Sequence, residues 1–235
     1  MSAVVYTAIA GGYDELKQPA AQDGECEFVC FSDAEGPSRI GAWRIVKFDS
    51  DAGLHPRLRA KRFKILSHEA FPDGRWKPSF WSRTRRLDLS IWIDGSLEIE
   101  SPSFVSDMRA RLGHGAWAMF VHPDRDCIYE EAALSATLPK YQGLPILEQV
   151  ESYRASVPPH SGLYACGVIV RREPVAELLR AAARSWWEEN VNWTYQDQLS
   201  LPYVWTKHPG ARPTPIAEPL RHNAWFRIRK HASVM

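Results

Sequence analysis

Charge of one sign is what this chain most clearly lacks. Its 235 residues carry 29 Lys and Arg against 28 Asp and Glu, a net charge of +1. Gripping nucleic acid through its phosphates needs a broad cationic surface, so the balance argues against that partner class. Long apolar runs are also missing, and none approaches the roughly 20 residues of a membrane span. The opening Met-Ser-Ala-Val-Val-Tyr has none of the basic, apolar and small-residue sections of a signal peptide. Cysteine is scarce: Cys26, Cys30, Cys127 and Cys166 form no metal-binding spacing. Cys26 and Cys30 flank one apparent strand, about 13 Å apart if extended, too far for a disulfide. Scattered thiols and no leader make cytoplasmic localisation the expectation. The glycine spacing of a dinucleotide fingerprint and the Gly-Lys-Ser/Thr of a phosphate loop are both absent, which disfavours NAD enzymes and kinases.

What is present is an ordinary globular composition, 45% hydrophobic, with an excess of tryptophan at 10 residues. Most of these rings are expected in the core, with a few left to stack on a sugar or base. Strands are predicted at Val4–Ile9, Glu27–Phe31, Trp43–Phe48, Leu89–Asp94, Ala116–His122 and Gly162–Arg171. Helices are predicted at Pro56–Phe71, Pro102–Leu112, Cys127–Thr137, Leu147–Ala155 and Pro174–Glu189, the last with proline in its first turn. Asp197–Trp205 reads as a helix or a short strand, and Arg75–Arg86 as a basic loop. Alternating strands and helices imply a single α/β domain over 1–235, with a mixed, mostly parallel central sheet flanked by helices. Its core would run from about residue 3 to 205, and a proline-rich tail from 206 to 235.

Candidate chemistry collects at strand ends, where open α/β sheets bind ligands. Leu89–Ser96 (LSIWIDGS) is a buried strand pattern ending in Asp94 and a glycine expected to make the turn. Asp94 there would hold a cation or a sugar hydroxyl, or merely satisfy its own turn. After the first strand, Gly11 and Gly12 allow close backbone approach to a phosphate, or a plain turn. Arg57, Lys61, Lys64 and His68 share a helix face, either solvated or meeting a diphosphate. Asp197 follows an aromatic cluster beginning at Trp193, and would accept a proton from an acceptor hydroxyl or cap its helix. His222 offers a late imidazole.

Taken in order, Tyr6–Asp14, Phe28–Asp33, Arg62–Phe71, Ser90–Ser96, Phe120–Pro123, Tyr129–Glu131 and Gln196–Gln198 resemble a glycosyltransferase-like domain family. That family was formerly a domain of unknown function, has plant members tied to cell-wall mucilage, and is of glycosyltransferase A type. The resemblance implies a sugar transferase using a nucleotide-diphosphate donor and a glycan or lipid-linked acceptor. It implies donor contacts at Thr7, Ala8, Gly11, Gly12, Tyr13, Asp33, Lys61, Lys64, Asp94, Gly95 and Ser96, and acceptor contacts at Gly162, Cys166, Gly167 and Trp193. Catalytic roles would fall to Asp94 and Asp197, and a Mn²⁺ or Mg²⁺ ion to Asp94 and His222. Ser96 stands where the second acid of the metal motif belongs, and a hydroxyl is a poor ligand for either ion. Lys61, Lys64 and the Arg83–Arg86 cluster are cations able to hold the diphosphate instead. A binding protein that kept the fold and lost the chemistry is the alternative, and a glycosidase pairing Asp94 with Asp197 a third reading.

Overall fold

Val4, Val5 and Tyr6 are fully buried because their strand has neighbours on both edges and apolar layers on both faces. The computed structural model describes residues 2–77 and 83–229. Strand β1 (Ser2–Ile9) is followed by β2 (Cys26–Ser32), β3 (Arg39–Ile40), β4 (Trp43–Lys47) and the helices α1 (Pro56–Ile65) and α2 (Ser67–Ala70). Next come β5 (Arg75–Trp76), β6 (Arg85–Ile93), β7 (Leu97–Ile99), α3 (Phe104–Leu112), β8 (Trp117–Val121), α4 (Ile128–Ser135) and α5 (Ile146–Ser152). The chain then forms β9 (Tyr164–Arg172), α6 (Glu177–Asn192), α7 (Asp197–Lys207), β10 (Thr214–Ile216) and β11 (Phe226–Ile228).

The main sheet has the order β10-β8-β9-β6-β1-β2-β4-β3, with β5 hydrogen-bonded to β6. Strands β4, β2, β1 and β6 are mutually parallel, and β10 is parallel to β8. Strand β9 runs antiparallel to both β6 and β8, so β8 and β10 point the same way as β6. The result is a mixed, mostly parallel sheet consistent with a single-domain glycosyltransferase A-like fold. Alternation along each strand divides the core. Tyr6 and Val29 pack with Ile65, Leu179, Trp186 and Leu201 of α1, α6 and α7, whereas Val5 and Ile91 pack with Phe104, Met108 and Phe226 on the other face.

Several local expectations are revised. Pro56–Phe71 is not one helix: the backbone breaks at Leu66 (φ −95°, ψ 48°). Arg171, itself buried, donates to the Lys64 carbonyl at 2.7 Å, and that oxygen is the acceptor a continuing helix would offer to the His68 N–H. Pro174 precedes α6 instead of opening it, because it packs against the turn at Gly74, where an added Cβ would lie 3.2 Å from the Pro174 backbone. Arg75–Trp76 pairs with Arg85–Arg86, so β6 starts four residues before the predicted Leu89; positions 78–82 of the predicted basic loop lie outside the described residues. The stretch after residue 205, expected as a tail, supplies β10 to the main sheet and β11, which pairs with β7. Among the described residues, no helix is long and apolar enough to cross a membrane.

Glu173 is nearly buried and accepts a 2.7 Å hydrogen bond from Ser90. Burial pushes its carboxyl up from 4.5 to about 7, against the opposing pull of Ser90 and Arg171. Between those values the folded chain holds a proton that the unfolded chain has lost, so this group's stabilisation is complete below 4.5 and is lost as pH rises through about 7. Glu173→Gln is expected to raise the melting temperature at pH 8 and to flatten its fall between pH 5 and 8, as followed by thermal denaturation.

Candidate functional site

A cleft of about 300 Å³ opens where β1 and β6 end, walled by α1, the start of α7 and the turn at Lys140 and Tyr141. Because β9 is antiparallel, its beginning, and not its end, reaches this edge. There the Asp94 N–H donates to the Gly167 carbonyl at 2.8 Å, and Ala165, Cys166 and Gly167 join the lining.

The β1 side is built by a glycine turn. Gly11 and Gly12 have φ of 64° and 67°, which glycine adopts without strain. The Gly11 N–H lies 3.0 Å from both carboxylate oxygens of Asp33, and Asp33 in turn pairs with Arg59 at 2.7 Å. An added Cβ on Gly11 would stand 3.0 Å from Pro56, so the turn packs tightly on the first residue of α1. Arg57 then reaches back, donating to the Tyr13 hydroxyl at 2.6 Å, with its guanidinium 4.3 Å from the Tyr13 ring centre and 5.5 Å from that of Tyr195. Gly95 serves differently from expectation. It is not among the positive-φ residues, and what its missing side chain provides is room, since a Cβ there would lie 3.0 Å from Asp14 Oδ2.

At the centre, Lys61 and Lys64 stand one helical turn apart and point the same way. Lys64 Nζ lies 3.1 Å from Asp94 Oδ1 and 2.7 Å from Asp197 Oδ2, and Lys61 Nζ lies 2.7 Å from the same Asp197 oxygen. Trp92 Nε1 donates to Asp94 Oδ1 at 2.7 Å. The Lys64 side chain is 2% exposed and that of Asp197 4%, against 18% for Lys61 and 38% for Asp94. Burial by itself would raise the Asp197 carboxyl, yet the two ammonium groups hold it at about 2. Burial alone would lower Lys64, but Asp197 and Asp94 outweigh it and keep this ammonium protonated. Lys61 moves the other way: burial lowers it and Asp197 only partly compensates. Lys140, at the rim, is also lowered, by burial and by the charges of Arg57 and Lys61. Arg57, Lys61, Lys64 and Lys140 thus face Asp14, Asp94 and Asp197 around one cleft.

Of the residues singled out by sequence, Ala8, Tyr13, Lys61, Lys64, Asp94, Gly95, Ser96, Cys166, Gly167 and Asp197 line this cleft. Thr7 is buried in β1, while Gly11, Gly12 and Asp33 shape the turn without lining the cavity. Gly162 borders a separate hollow with Asp126 and Arg212, and Trp193 closes the C-terminus of α6. His222 is exposed and outside the lining. Asp197 is the first residue of α7, just after the N-cap Gln196, and its carboxylate turns to the lysines. Arg57, on the same predicted helix face, lines the cleft as well, whereas His68 lies on α2 beyond the break at Leu66 and outside the lining; Tyr195, which sequence reasoning missed, had a signal in its nearness to Asp197. Lys140 and Tyr141, on a single 3₁₀ turn, had none.

Asp94, expected to hold a divalent cation, is already engaged, and His222, its expected partner, lies outside the cleft. One Asp94 oxygen already meets an ammonium and an indole N–H, and Ser96 brings a neutral hydroxyl. Among the described residues, the one group of three candidate metal ligands within reach of one another is Cys127, Glu130 and His160, and none of them lines the cleft.

A curated relative from Arabidopsis thaliana, described as probable hexosyltransferase MUCI70, is 26% identical over 229 residues, covering 86% of this chain and 36% of the relative. The chain therefore spans about a third of that relative's length. The family model described as TOD1/MUCI70, glycosyltransferase-like domain, matches residues 1–215. With nearly all of the described fold inside that match, the chain belongs to the TOD1/MUCI70 glycosyltransferase-like domain family.

Proposed function

We propose that this chain is a glycosyltransferase that takes a sugar from a nucleotide-diphosphate donor and passes it to a hydroxyl of a glycan or lipid-linked saccharide. The observation that carries the reading is the run of charges Lys61–Asp197–Lys64–Asp94 at the strand-end edge of the sheet. A departing diphosphate gathers negative charge, and fixed cations in a partly dry cleft stabilise that charge without reorganising. Lys61 is the more exposed of the two central ammonium groups, and Arg57 and Lys140 extend the positive rim. Tyr13 and Tyr195, both lining the cleft, would bring aromatic rings beside a bound base or sugar. Asp94, partly exposed, is placed to accept from sugar or ribose hydroxyls, and the acceptor would enter past Gly167 and Gln198. In this reading Asp197 is an electrostatic group and not a base. A carboxyl held at about 2 has little appetite for a proton near neutral pH, but its full negative charge orients both lysines and faces the positive charge developing on the sugar.

A binding protein without turnover is favoured by one feature, the missing second acid at Ser96. Titration calorimetry against a panel of nucleotide sugars, followed by release assays with saccharide acceptors, separates the two. Saturable donor binding with acceptor-dependent release of nucleoside diphosphate is the expected result. Binding without release across the acceptor panel would favour the binding protein.

Asp197→Asn is expected to lower turnover by about 100-fold or more, on the scale of losing one charge-stabilising group, with donor affinity changed far less; loss of donor binding instead would mark a purely structural role. Lys64→Met and Asp197→Asn should each destabilise the fold. Because the two side chains meet, a urea-unfolding double-mutant cycle should return a coupling of about 1–3 kcal/mol.

A further inference from the structure

We infer that the Lys64 ammonium, with Lys61 beside it, takes the place of a divalent cation, so that the cleft binds a nucleoside diphosphate without metal. The inference rests on the donor reading above and goes further, to the means by which the diphosphate is held.

Three observations support it. The space between the two carboxylates that a bridging cation would need is filled: Lys64 Nζ is 3.1 Å from Asp94 Oδ1 and 2.7 Å from Asp197 Oδ2. Lys64 is also clamped. Its side chain is 2% exposed, and its carbonyl accepts from Arg171 Nη2 at 2.7 Å, while Arg171 Nη1 donates to the Tyr6 hydroxyl at 3.0 Å. Swinging the ammonium aside would mean unpairing a buried charge or moving the end of α1, and neither comes cheaply in a packed interior. Finally, these two acids are already met. Lys61 and Lys64 face Asp94 and Asp197, so a divalent ion inserted between those acids would meet two nearby ammonium groups, and Ser96 beside Asp94 supplies a hydroxyl that Mn²⁺ and Mg²⁺ bind poorly. A fixed pair of ammonium groups carries the charge of one divalent ion and needs no loading step. Lys64 sits deeper and holds the carboxylates in register; Lys61, at 18% exposure, turns the positive charge toward the ligand.

The test uses the full chain dialysed against EDTA, with UDP, GDP and ADP as probes in titration calorimetry. Each titration is run in EDTA, in Mg²⁺ and in Mn²⁺. The expected result is one nucleoside diphosphate binding with the same dissociation constant in all three. Mn²⁺ electron paramagnetic resonance of the wild-type protein should show no ion taken up at the cleft, with or without that diphosphate. Lys64→Met should weaken binding by about tenfold or more, equivalent to ~1.4 kcal/mol, and Mn²⁺ should not restore it. The resonance measurement is made on unaltered protein, so it stands even if Lys64→Met fails to fold. Binding that appears only with Mn²⁺ or Mg²⁺, or Mn²⁺ uptake with the diphosphate that Asp94→Asn abolishes, would overturn the inference and leave the donor reading intact. Absence of binding by every probe under all three conditions would overturn the donor reading itself, and this inference with it.

Discussion

A buried ammonium is unfavourable unless carboxylates meet it, and Lys64 is met by two. The demand of that one charge reaches through much of the molecule. It requires α1 to lie across the ends of β1 and β6, so that its third turn overhangs Asp94. It requires α7 to begin where Asp197 can reach the same nitrogen. The Trp186 indole donates to the Asp197 carbonyl at 2.9 Å, tying the start of α7 to α6. Gln196, just before it, donates to Glu131 on α4. The cleft is therefore not a gap left between elements. It is the place where α1 and α7 are held by the need to satisfy buried charge.

The backbone accommodates the same requirement. Arg171, on the antiparallel strand β9, takes the Lys64 carbonyl and ends α1 one residue later. This strand reversal has a second consequence. In a wholly parallel sheet, the residues at the ligand-binding edge all come from strand C-termini; here β9 brings its first residues to that edge, placing Cys166 and Gly167 beside Asp94. One element thus both stops the cationic helix and furnishes the opposite wall.

Much of the architecture was legible because burial leaves a period in the sequence. Val4–Ile9, Glu27–Phe31 and Trp43–Phe48 fall within one residue or two of β1, β2 and β4, and the predicted helices fall within three residues of those at 104–112, 128–135 and 146–152. The errors share a cause. The break at Leu66, the role of Gly95 and the late start of α6 each depend on a distant partner: Arg171, Asp14 and the turn at Gly74. Local pattern carries no trace of such contacts. Asp33 illustrates the same limit within the site, since a strand-end acid reads identically whether it faces a ligand or braces the Gly11 turn and Arg59.

The sequence by itself determined the α/β class and the family, and it singled out Asp94 and Asp197 as candidates, because strand alternation, helix period and a motif at a strand end are written in neighbouring residues. It also marked Lys61 and Lys64 as one helix face. Only the tertiary structure decided that this face turns inward and that a lysine stands between the acids. It likewise decided that Lys140, Tyr141 and Tyr195 complete the wall while His222, Trp193 and Gly162 stay outside the cleft. The reason is physical: charge interactions act through space at a few ångströms, and the residues that meet there are separated along the chain by anything from three positions to more than a hundred.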